Sequence, residues 1–393
     1  MRRLAPFAAA CALLAAAVLP AAAAERAAAF VPSPGQWALV PGSALSESGV
    51  QVDKATAQRL HLSGSKDAQA AGDDNGAAWD PESRCLLFMG GGRRYWGGNE
   101  IYRLCLSDLR WQRLTEPTPL PADGPPCPAV PDAPAAGLAW DGLEVVDGRL
   151  YAFLTDAFCR SGTRSIDTAW SLDLRAPQAG WRPEPGAPRR FAGAAVARNP
   201  RTGGLVVVGT ERDVLAEMDP AATLPATEIP IGATSPAPGM VCTAAGEDIY
   251  CLSGGRALWR LEYGPGQRAD RLRELGDLPL GGVGPSPCVV WHPARQRLVV
   301  LSGSRTVYEV NPADRSVTRW PNPEGPEPRD KPLRVVSKCA YVADLDAFVL
   351  VRGRHDPVAF YRLSAPGTTQ RAPVEQRAPA YVRGLSVPDP AGG

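Results

Sequence analysis

The sequence predicts an all-β fold, a six-bladed β-propeller of four-stranded antiparallel blades closed by the N-terminal strand. The first observation is a repeat, in which a bulky residue in a strand-like run is followed two positions later by Leu, Val or Met. Its copies recur about every fifty residues, a period typical of propellers. They are Tyr102 with Leu104, Trp170 with Leu172, Trp259 with Leu261, Tyr308 with Val310, Tyr361 with Leu363, and the weakest copy, Ala216 with Met218, in which alanine takes the place of the bulky residue.

The second observation is that the repeats read as successive short strands, four of them in the first repeat. In the first repeat we expect strands at 77–79, 85–89, 99–106 and 111–114, with an Asp80-Pro81 turn between the first two. Proline fixes φ for such a turn. In the second repeat the first two strands are expected at 138–140 and 150–154. Tryptophan-led outer strands are expected at 111–117, 181–185 and 320–326.

The third observation concerns the two ends of the chain. The last repeat stops at Ser364 to Pro366, before its fourth strand, and the missing pattern stands at 36–41, which begins with Gln36 and Trp37. We therefore expect the N-terminal strand to complete the last blade and close the ring. The propeller then spans residues 25–366 as one domain.

Segments outside the propeller have compositions of their own. Arg2 and Arg3 precede an apolar run that ends in small residues near Ala24, which is typical of a secretory signal peptide over residues 1–24. Residues 367–393 form a Pro-rich tail. We expect a periplasmic or extracellular protein without stable membrane insertion.

Eight cysteines remain after the expected cleavage, and an even number in an exported chain favours disulfides. Antiparallel neighbours predict Cys85 with Cys105, and a tight hairpin predicts Cys242 with Cys251. Cys127 with Cys159 would tie a Pro-rich insertion to the second blade. Cys288 with Cys339 would join neighbouring blades. The alternative is that some of these are buried free thiols.

Charge excludes some classes of partner. The net charge is +1, so there is no overall electrostatic attraction to nucleic acid. We also expect a monomer. The three histidines, His61, His292 and His355, have no ligand spacing, and no zinc, calcium or phosphate-loop motif is present. We expect no metal and no cofactor.

Paired glycines at Gly90-Gly91 and Gly254-Gly255, each followed by an aromatic strand, resemble kelch repeats and the central propeller of galactose-oxidase-like proteins. The resemblance covers roughly residues 35–366. The resemblance implies architecture only. Repeats three, five and six of this chain lack the paired glycines, so they are degenerate copies of the motif. The group includes oxidases, epimerases and pure binding modules, so the resemblance leaves open whether this chain is an enzyme.

Arginine marks the expected binding site. Loops between second and third strands should open on one face of a propeller, and every repeat has arginine there. The planar guanidinium group of arginine can donate two hydrogen bonds to a carboxylate, sulfate or phosphate group, and the neighbouring aromatic side chains could stack on sugar rings. The candidate ligand-binding residues are Arg93, Arg94, Trp96, Arg160, Arg164, Arg212, Arg256, Arg305 and Arg354.

Two alternatives to this interpretation stay open. Arginine is the main basic residue of the whole chain, since only four lysines occur, and short polar turns attract it in any case. Asp80, Asp141 and Asp173 could act as acids or bases, but each stands where a carboxylate would cap backbone amides.

We therefore expect a secreted or periplasmic binding module for an acidic glycan or a protein partner. The enzyme alternative is a cofactor-independent carbohydrate-active enzyme, an epimerase, lyase or hydrolase, with an arginine-lined axial site. A carboxylate buried beside Arg256 or Arg305 would favour the enzyme.

Overall fold

The computed structural model describes residues 26–364 except 63–70, 73–74, 92–95, 123–129, 131, 156, 160–161, 165, 167, 190, 192, 210–212, 232–235, 237–238, 303–305 and 321–335, and except the side chains of 157–159 and 162–164. In chain order the strands of this part are β1 (Trp37–Leu39), β2 (Ala77–Asp80), β3 (Cys85–Met89), β4 (Ile101–Cys105), β5 (Arg110–Arg113), β6 (Leu143–Val146), β7 (Arg149–Ala152), β8 (Ala157–Cys159), β9 (Gly162–Arg164), β10 (Trp170–Asp173), β11 (Trp181–Pro183), β12 (Ala194–Arg198), β13 (Leu205–Gly209), β14 (Val214–Met218), β15 (Glu228–Pro230), β16 (Val241–Ala245), β17 (Asp248–Ser253), β18 (Ala257–Tyr263), β19 (Ala269–Asp277), β20 (Cys288–His292), β21 (Arg297–Leu301), β22 (Val307–Val310), β23 (Val317–Trp320), β24 (Cys339–Val342), β25 (Ala347–Leu350) and β26 (Ala359–Tyr361).

These strands form six antiparallel four-stranded sheets and the separate hairpin β8–β9. From inner to outer strand, blade 1 is β2 to β5, blade 2 is β6, β7, β10 and β11, blade 3 is β12 to β15, blade 4 is β16 to β19, blade 5 is β20 to β23, and blade 6 is β24, β25, β26 and β1. The predicted six-bladed propeller is confirmed.

Helical structure is confined to short pieces. An α-helix covers Lys54–Arg59, and its first turn is capped by Asp53, whose side chain accepts a hydrogen bond from the Thr56 backbone amide. The 3₁₀ turns are Leu45–Glu47, Pro177–Ala179, Pro265–Gln267 and Ala343–Leu345. Among the described residues, no helix is long and apolar enough to cross a bilayer.

The blades pack face to face, which explains why their middle strands are apolar on both sides. All five residues of β3 are buried. Phe88 and Tyr102 of blade 1 share one cluster with Val349 and Phe360 of blade 6. The core is therefore a ring of interfaces between blades.

The N-terminal strand closes the ring as predicted. In β1, Trp37 lies opposite Tyr361 of β26, and their ring centroids are 4.8 Å apart. The Gly35 amide donates to the Arg362 carbonyl at 2.7 Å. The last blade therefore takes its outer strand from the start of the domain.

One predicted strand position is wrong, and a second strand starts earlier than predicted. The inner strand of blade 2 is β6, because Trp140 adopts a positive φ of 42° that a strand does not allow. The segment 138–140 instead makes isolated bridges to Thr155 and Asn75. In blade 5 the outer strand begins at Val317, before the predicted start at Trp320, whose buried indole donates to Glu309; residues 321–326 of the predicted strand lie outside the described residues.

Three of the predicted disulfides are present. Cys85–Cys105 and Cys242–Cys251 each join neighbouring strands of one blade, and Cys288–Cys339 joins the inner strands of blades 5 and 6. For these six cysteines the free-thiol alternative is wrong. Cys127 lies outside the described residues, as does the side chain of Cys159.

Candidate functional site

One face of the ring collects the starts of all six inner strands, and we call it the axial face. It is marked by the residues that precede those strands: Gly76, Gly142, Gly193, Met240, Pro287 and Lys338. Because each second strand runs antiparallel to its inner strand, the connections between second and third strands open on the same face. The sequence-predicted arginines belong to these connections.

Side chains of the strand entries meet at the centre of this face and form what we call the axial cluster: Asn75, Trp140, Asp141, Ser286 and Lys338. Trp140 lies across the centre. A Cβ on Gly76, at the entry of blade 1, would lie 1.9 Å from the Trp140 carbonyl oxygen. A Cβ on Gly239, at the entry of blade 4, would lie 3.7 Å from the indole. Blades 1 and 4 are opposite each other in a ring of six, so Trp140 spans the axis.

Asp141 ties blade 2 to two further blades. Its carbonyl accepts from the Val196 amide of blade 3 at 3.0 Å. Its carboxyl oxygen Oδ2 accepts from the Cys242 amide of blade 4 at 2.7 Å. Burial raises the pKa of Asp141 to about 8, although hydrogen bonds from Ser337 and the Cys242 amide oppose the shift. At neutral pH this acid is mostly protonated.

Glu144, on β6, is a second acid with an unusual pKa. Burial and the neighbouring Asp141 carboxyl group together raise its pKa to about 8, while Arg198 opposes the shift. The side chain is nevertheless partly accessible. The entry of blade 2 thus supplies two carboxyl groups that hold protons near neutral pH.

Lys338 and Asn75 form hydrogen bonds that connect the last blade to the first. Lys338 is fully buried, and its Nζ donates to the carbonyls of Gly72 at 2.8 Å and Asn75 at 3.2 Å. The Asn75 side chain donates to the Gly91 carbonyl and accepts from the Ala139 amide. These bonds hold the entries of blades 6, 1 and 2 together.

Ser286 stands at the entry of blade 5. Its carbonyl accepts from the Val336 amide, which leads into blade 6, at 2.9 Å. Its side chain approaches Gly239 of blade 4. The contacts of the axial cluster therefore link the entries of all six inner strands.

The arginines of the axial face are described only in part. Arg93, Arg94, Arg160, Arg212 and Arg305 lie outside the described residues, as does the side chain of Arg164.

Arg256 pairs with Asp277 of its own blade at 3.2 Å, and both side chains are about half exposed, 46% and 55%. The Nε of Arg354 donates to His355 at 2.9 Å, and the Arg354 carbonyl accepts from the Ser46 amide. Arg352 of the same loop is buried against Asp356. Arg256 and Arg354 therefore reach the surface, whereas Arg352 stabilises its own loop through the buried ion pair with Asp356.

Trp96 does not fit a stacking role. It is only 2% exposed, and its Nε1 donates to the Oε1 of Glu100 at 3.0 Å. Its indole packs with Leu62 and Leu120. Burial raises the pKa of Glu100. The tryptophan anchors its own loop because its ring faces are covered by protein.

The three aspartates behave as the capping interpretation predicts, with one difference. Asp80 accepts from the Glu82 amide and Asp173 from the Arg175 amide, both within local turns. Asp141 caps an amide 101 positions away, in another blade. Within the described residues, no group of three or more His, Cys, Asp or Glu could hold a metal ion.

Sequence reasoning missed most of the axial cluster. Lys338 carried a weak signal, as one of only four lysines and the residue before Cys339. Trp140 carried a misleading one, because an aromatic residue before Asp-Gly looks like the end of a strand. Their contacts join positions up to 266 residues apart and have no local pattern.

Comparisons with known proteins were made at the level of family, sequence and structure. No family model matches the chain, and no curated protein matches it. Among solved structures, an auxiliary nutrient binding protein from Bacteroides ovatus is similar, with a TM-score of 0.49, 14% identity, and coverage of 76% of this chain and 75% of that one. A second auxiliary nutrient binding protein, from Bacteroides thetaiotaomicron, has a TM-score of 0.48, 10% identity, and coverage of 74% and 69%. A streptogramin B lyase has a TM-score of 0.42, 12% identity, and coverage of 75% and 84%.

Proposed function

We propose that the protein is an exported binding module whose axial face holds an acidic ligand, a glycan or the surface of a protein partner. One observation carries the proposal: arginine occurs between the second and third strands of every blade, and the topology turns all six connections toward one face. Arginine forks suit carboxylate, sulfate and phosphate groups.

The described arginines of the axial face support binding at its surface. Arg256 is about half exposed in the loop of blade 4, and Arg354 stands in the corresponding loop of blade 6. Charges spread over several loops attract an extended polyanion better than a small one, since each contributes at long range. A linear acidic glycan has this form.

The test is retention on immobilised heparin and polygalacturonate. Replacing Arg94, Arg256 and Arg305 together with alanine should abolish retention at moderate salt, because three cationic contacts are lost. The matched control replaces three arginines away from this face, Arg110, Arg175 and Arg271, and removes the same charge. Equal retention of the wild type and the axial variant would rule out the proposed site.

The enzyme alternative is favoured by Asp141. A buried carboxyl group that holds its proton near neutral pH is a candidate general acid. A buried carboxylate beside Arg256 would also favour the enzyme, but the carboxylate that pairs with Arg256 in the described residues, Asp277, is about half exposed. In this alternative the protein is a cofactor-independent epimerase, lyase or hydrolase.

A product assay separates the two functions. Incubation with acidic polysaccharides, followed by measurement of new reducing ends, unsaturated products and epimerised residues, should show no turnover by a binding module. Turnover that disappears in Asp141→Asn, while retention on the polysaccharide persists, would establish the enzyme instead.

The compartment follows from the disulfides. Three disulfides in one chain indicate an oxidising environment, periplasmic or extracellular. We propose that residues 1–24 direct export, that the propeller spans 25–366, and that the protein is a monomer with a tail at 367–393. N-terminal sequencing of the mature protein and its mass in solution would test these assignments.

A further inference from the structure

A cleft of ≈ 550 Å³ opens on the outer wall of the ring, between blades 2 and 3, where β11 ends. We call it the outer cleft, and the residues that matter here are Arg182, Glu184, Pro185, Arg189, Thr223 and Pro225. Its volume is in the usual range for ligand sites. It is separate from the axial face, and nothing below depends on the axial proposal.

Two arginines and one carboxylate line the outer cleft. Its one carboxylate, Glu184, is 1% exposed and is already engaged by the Ser171 hydroxyl and by Arg182 at 3.4 Å. Arg182 remains 60% exposed. Arg189 is exposed; its backbone amide donates to the Glu228 carboxylate, and its guanidinium has no partner among the residues that the structure describes. The two guanidinium groups therefore favour a ligand with a carboxylate.

Apart from Thr168 and Thr223, the rest of the wall is apolar and aliphatic. Proline and alanine side chains line it, and no aromatic ring does so among the described residues. Leu224, which lies between two lining residues, is 78% exposed and is the more exposed of the two large hydrophobic side chains that the described surface presents. Sugars bind best against aromatic rings, whereas aliphatic walls suit the side chains of a peptide.

The neighbouring backbone suits an extended ligand. β11 is the outermost strand of blade 2, so one of its edges has no strand partner in the sheet. Such edges accept extended segments of other proteins. Trp181 and Arg182 lie on this edge strand, directly beside the cleft.

We propose that the outer cleft binds an extended segment of a partner protein in which a carboxylate stands next to an aliphatic side chain. The carboxylate lies between the guanidinium groups of Arg182 and Arg189. The aliphatic side chain packs against Leu224 and Pro225. The ligand class is an acidic, apolar peptide.

The experiment measures binding of dye-labelled pentapeptides by fluorescence anisotropy on the full folded protein. The probe is Gly-Asp-Leu-Asp-Gly, and the matched probes carry Asn or Lys in place of Asp. The protein variants are Arg189→Glu and Leu224→Ser, both at exposed positions, with Arg110→Glu on the outer strand of blade 1 as the charge-matched control. Circular dichroism checks that each variant is folded.

The expected result is binding of the Asp probe that weakens at least tenfold in Arg189→Glu, weakens measurably in Leu224→Ser, and is unchanged in Arg110→Glu. The Asn and Lys probes should bind the wild type weakly or not at all. Absent binding of the Asp probe, equal binding of the Asp and Asn probes, or equal loss in Arg110→Glu would overturn the proposal. An oligogalacturonate that binds in an Arg189-dependent way while the peptide does not would assign the cleft to a glycan instead.

Discussion

Asp141 shows how one residue can connect distant parts of a ring. Its backbone and side chain reach blades 3 and 4 from the entry of blade 2, and burial makes the carboxyl group hold its proton near neutral pH. A protonated acid avoids the cost of burying a charge and can still accept the Cys242 amide. The stability of the fold therefore depends on the protonation of this group.

The first prediction concerns this dependence. Because the folded-state pKa of Asp141 lies above its unfolded value of 3.8, its contribution to stability is complete below that value and is lost as the pH rises to about 8. In Asp141→Asn the fall in the free energy of unfolding between about pH 5 and pH 8 should be shallower by up to about 1.4 kcal/mol per pH unit. Urea titrations at several pH values measure it.

Glu144 has a shift in the same direction, so the variant should keep part of the slope. Glu144→Gln should also reduce the slope, and the double variant should reduce it further. An Asp141→Asn protein with the wild-type pH dependence would show that Asp141 titrates normally in the folded state.

The second prediction concerns the close approach of Trp140 to Gly76. A side chain on Gly76 would meet the Trp140 carbonyl, a backbone atom that cannot turn aside. Gly76→Ala should cost about 1–3 kcal/mol, the usual penalty for overpacking. Gly281→Ala is the control, because its nearest neighbour is the Tyr308 hydroxyl at 3.8 Å. Equal denaturation midpoints for the two variants would contradict this picture of the axial cluster.

At the scale of the elements, the turns opposite the axial face join neighbouring blades through charge. An arginine of one blade meets an acidic side chain of a neighbouring blade at four of the blade junctions in the described residues. The pairs are Arg84 with Asp344, Arg175 with Glu82, Arg198 with Asp147, and Arg201 with Asp248. At a fifth junction His292 lies 3.4 Å from Asp346, but burial lowers the pKa of this histidine, so the contact is not a charged pair at neutral pH. On this face, arginine in short turns therefore has a structural role.

The third prediction compares two of these junctions. Arg175 and Glu82 are each 65% exposed, so Arg175→Ala should cost less than about 1 kcal/mol. Arg201 is better enclosed: it bonds to Asp248 and the Glu247 carbonyl, and its guanidinium lies 4.1 Å from the centre of the Tyr263 ring. Arg201→Ala should cost about 1–3 kcal/mol. Thermal denaturation of the two variants tests which one loses more stability. A larger drop in melting temperature for Arg175→Ala than for Arg201→Ala would contradict the prediction.

At the scale of the whole molecule, closure depends on two long-range links. β1 completes blade 6 from the other end of the domain, and Cys288–Cys339 joins blades 5 and 6 across 51 residues. By contrast, Cys242–Cys251 closes only 9 residues within one hairpin. A longer loop removes more conformational entropy from the unfolded chain.

The fourth prediction follows from these loop lengths. Replacing both cysteines of Cys288–Cys339 with alanine should cost about 4 kcal/mol, and the same change in Cys242–Cys251 about 2.7 kcal/mol. Guanidinium titrations of the oxidised wild type and both double variants measure the difference. An equal cost would mean that loop entropy does not control the contribution of these bonds.

Periodicity made the architecture predictable. Alternation within strands and the recurrence of bulky residues are local patterns, and they correctly indicated six blades, the pairing of Trp37 with the last blade and three disulfides. The prediction was wrong at 138–140. The sequence of this segment alternates like that of a strand, but Trp140 has a positive φ and lies between blades 1 and 4. Contacts with distant glycines override local propensity there.

The sequence by itself determined the ring and its closure, because each blade is specified by neighbouring residues and copies of one unit can pack only on each other. Only the tertiary structure decided what stands at the centre and on the outer wall. Lys338 meets Gly72 across 266 positions, and the outer cleft joins two blades. Such contacts arise when the ring closes, and no spacing along the chain encodes them.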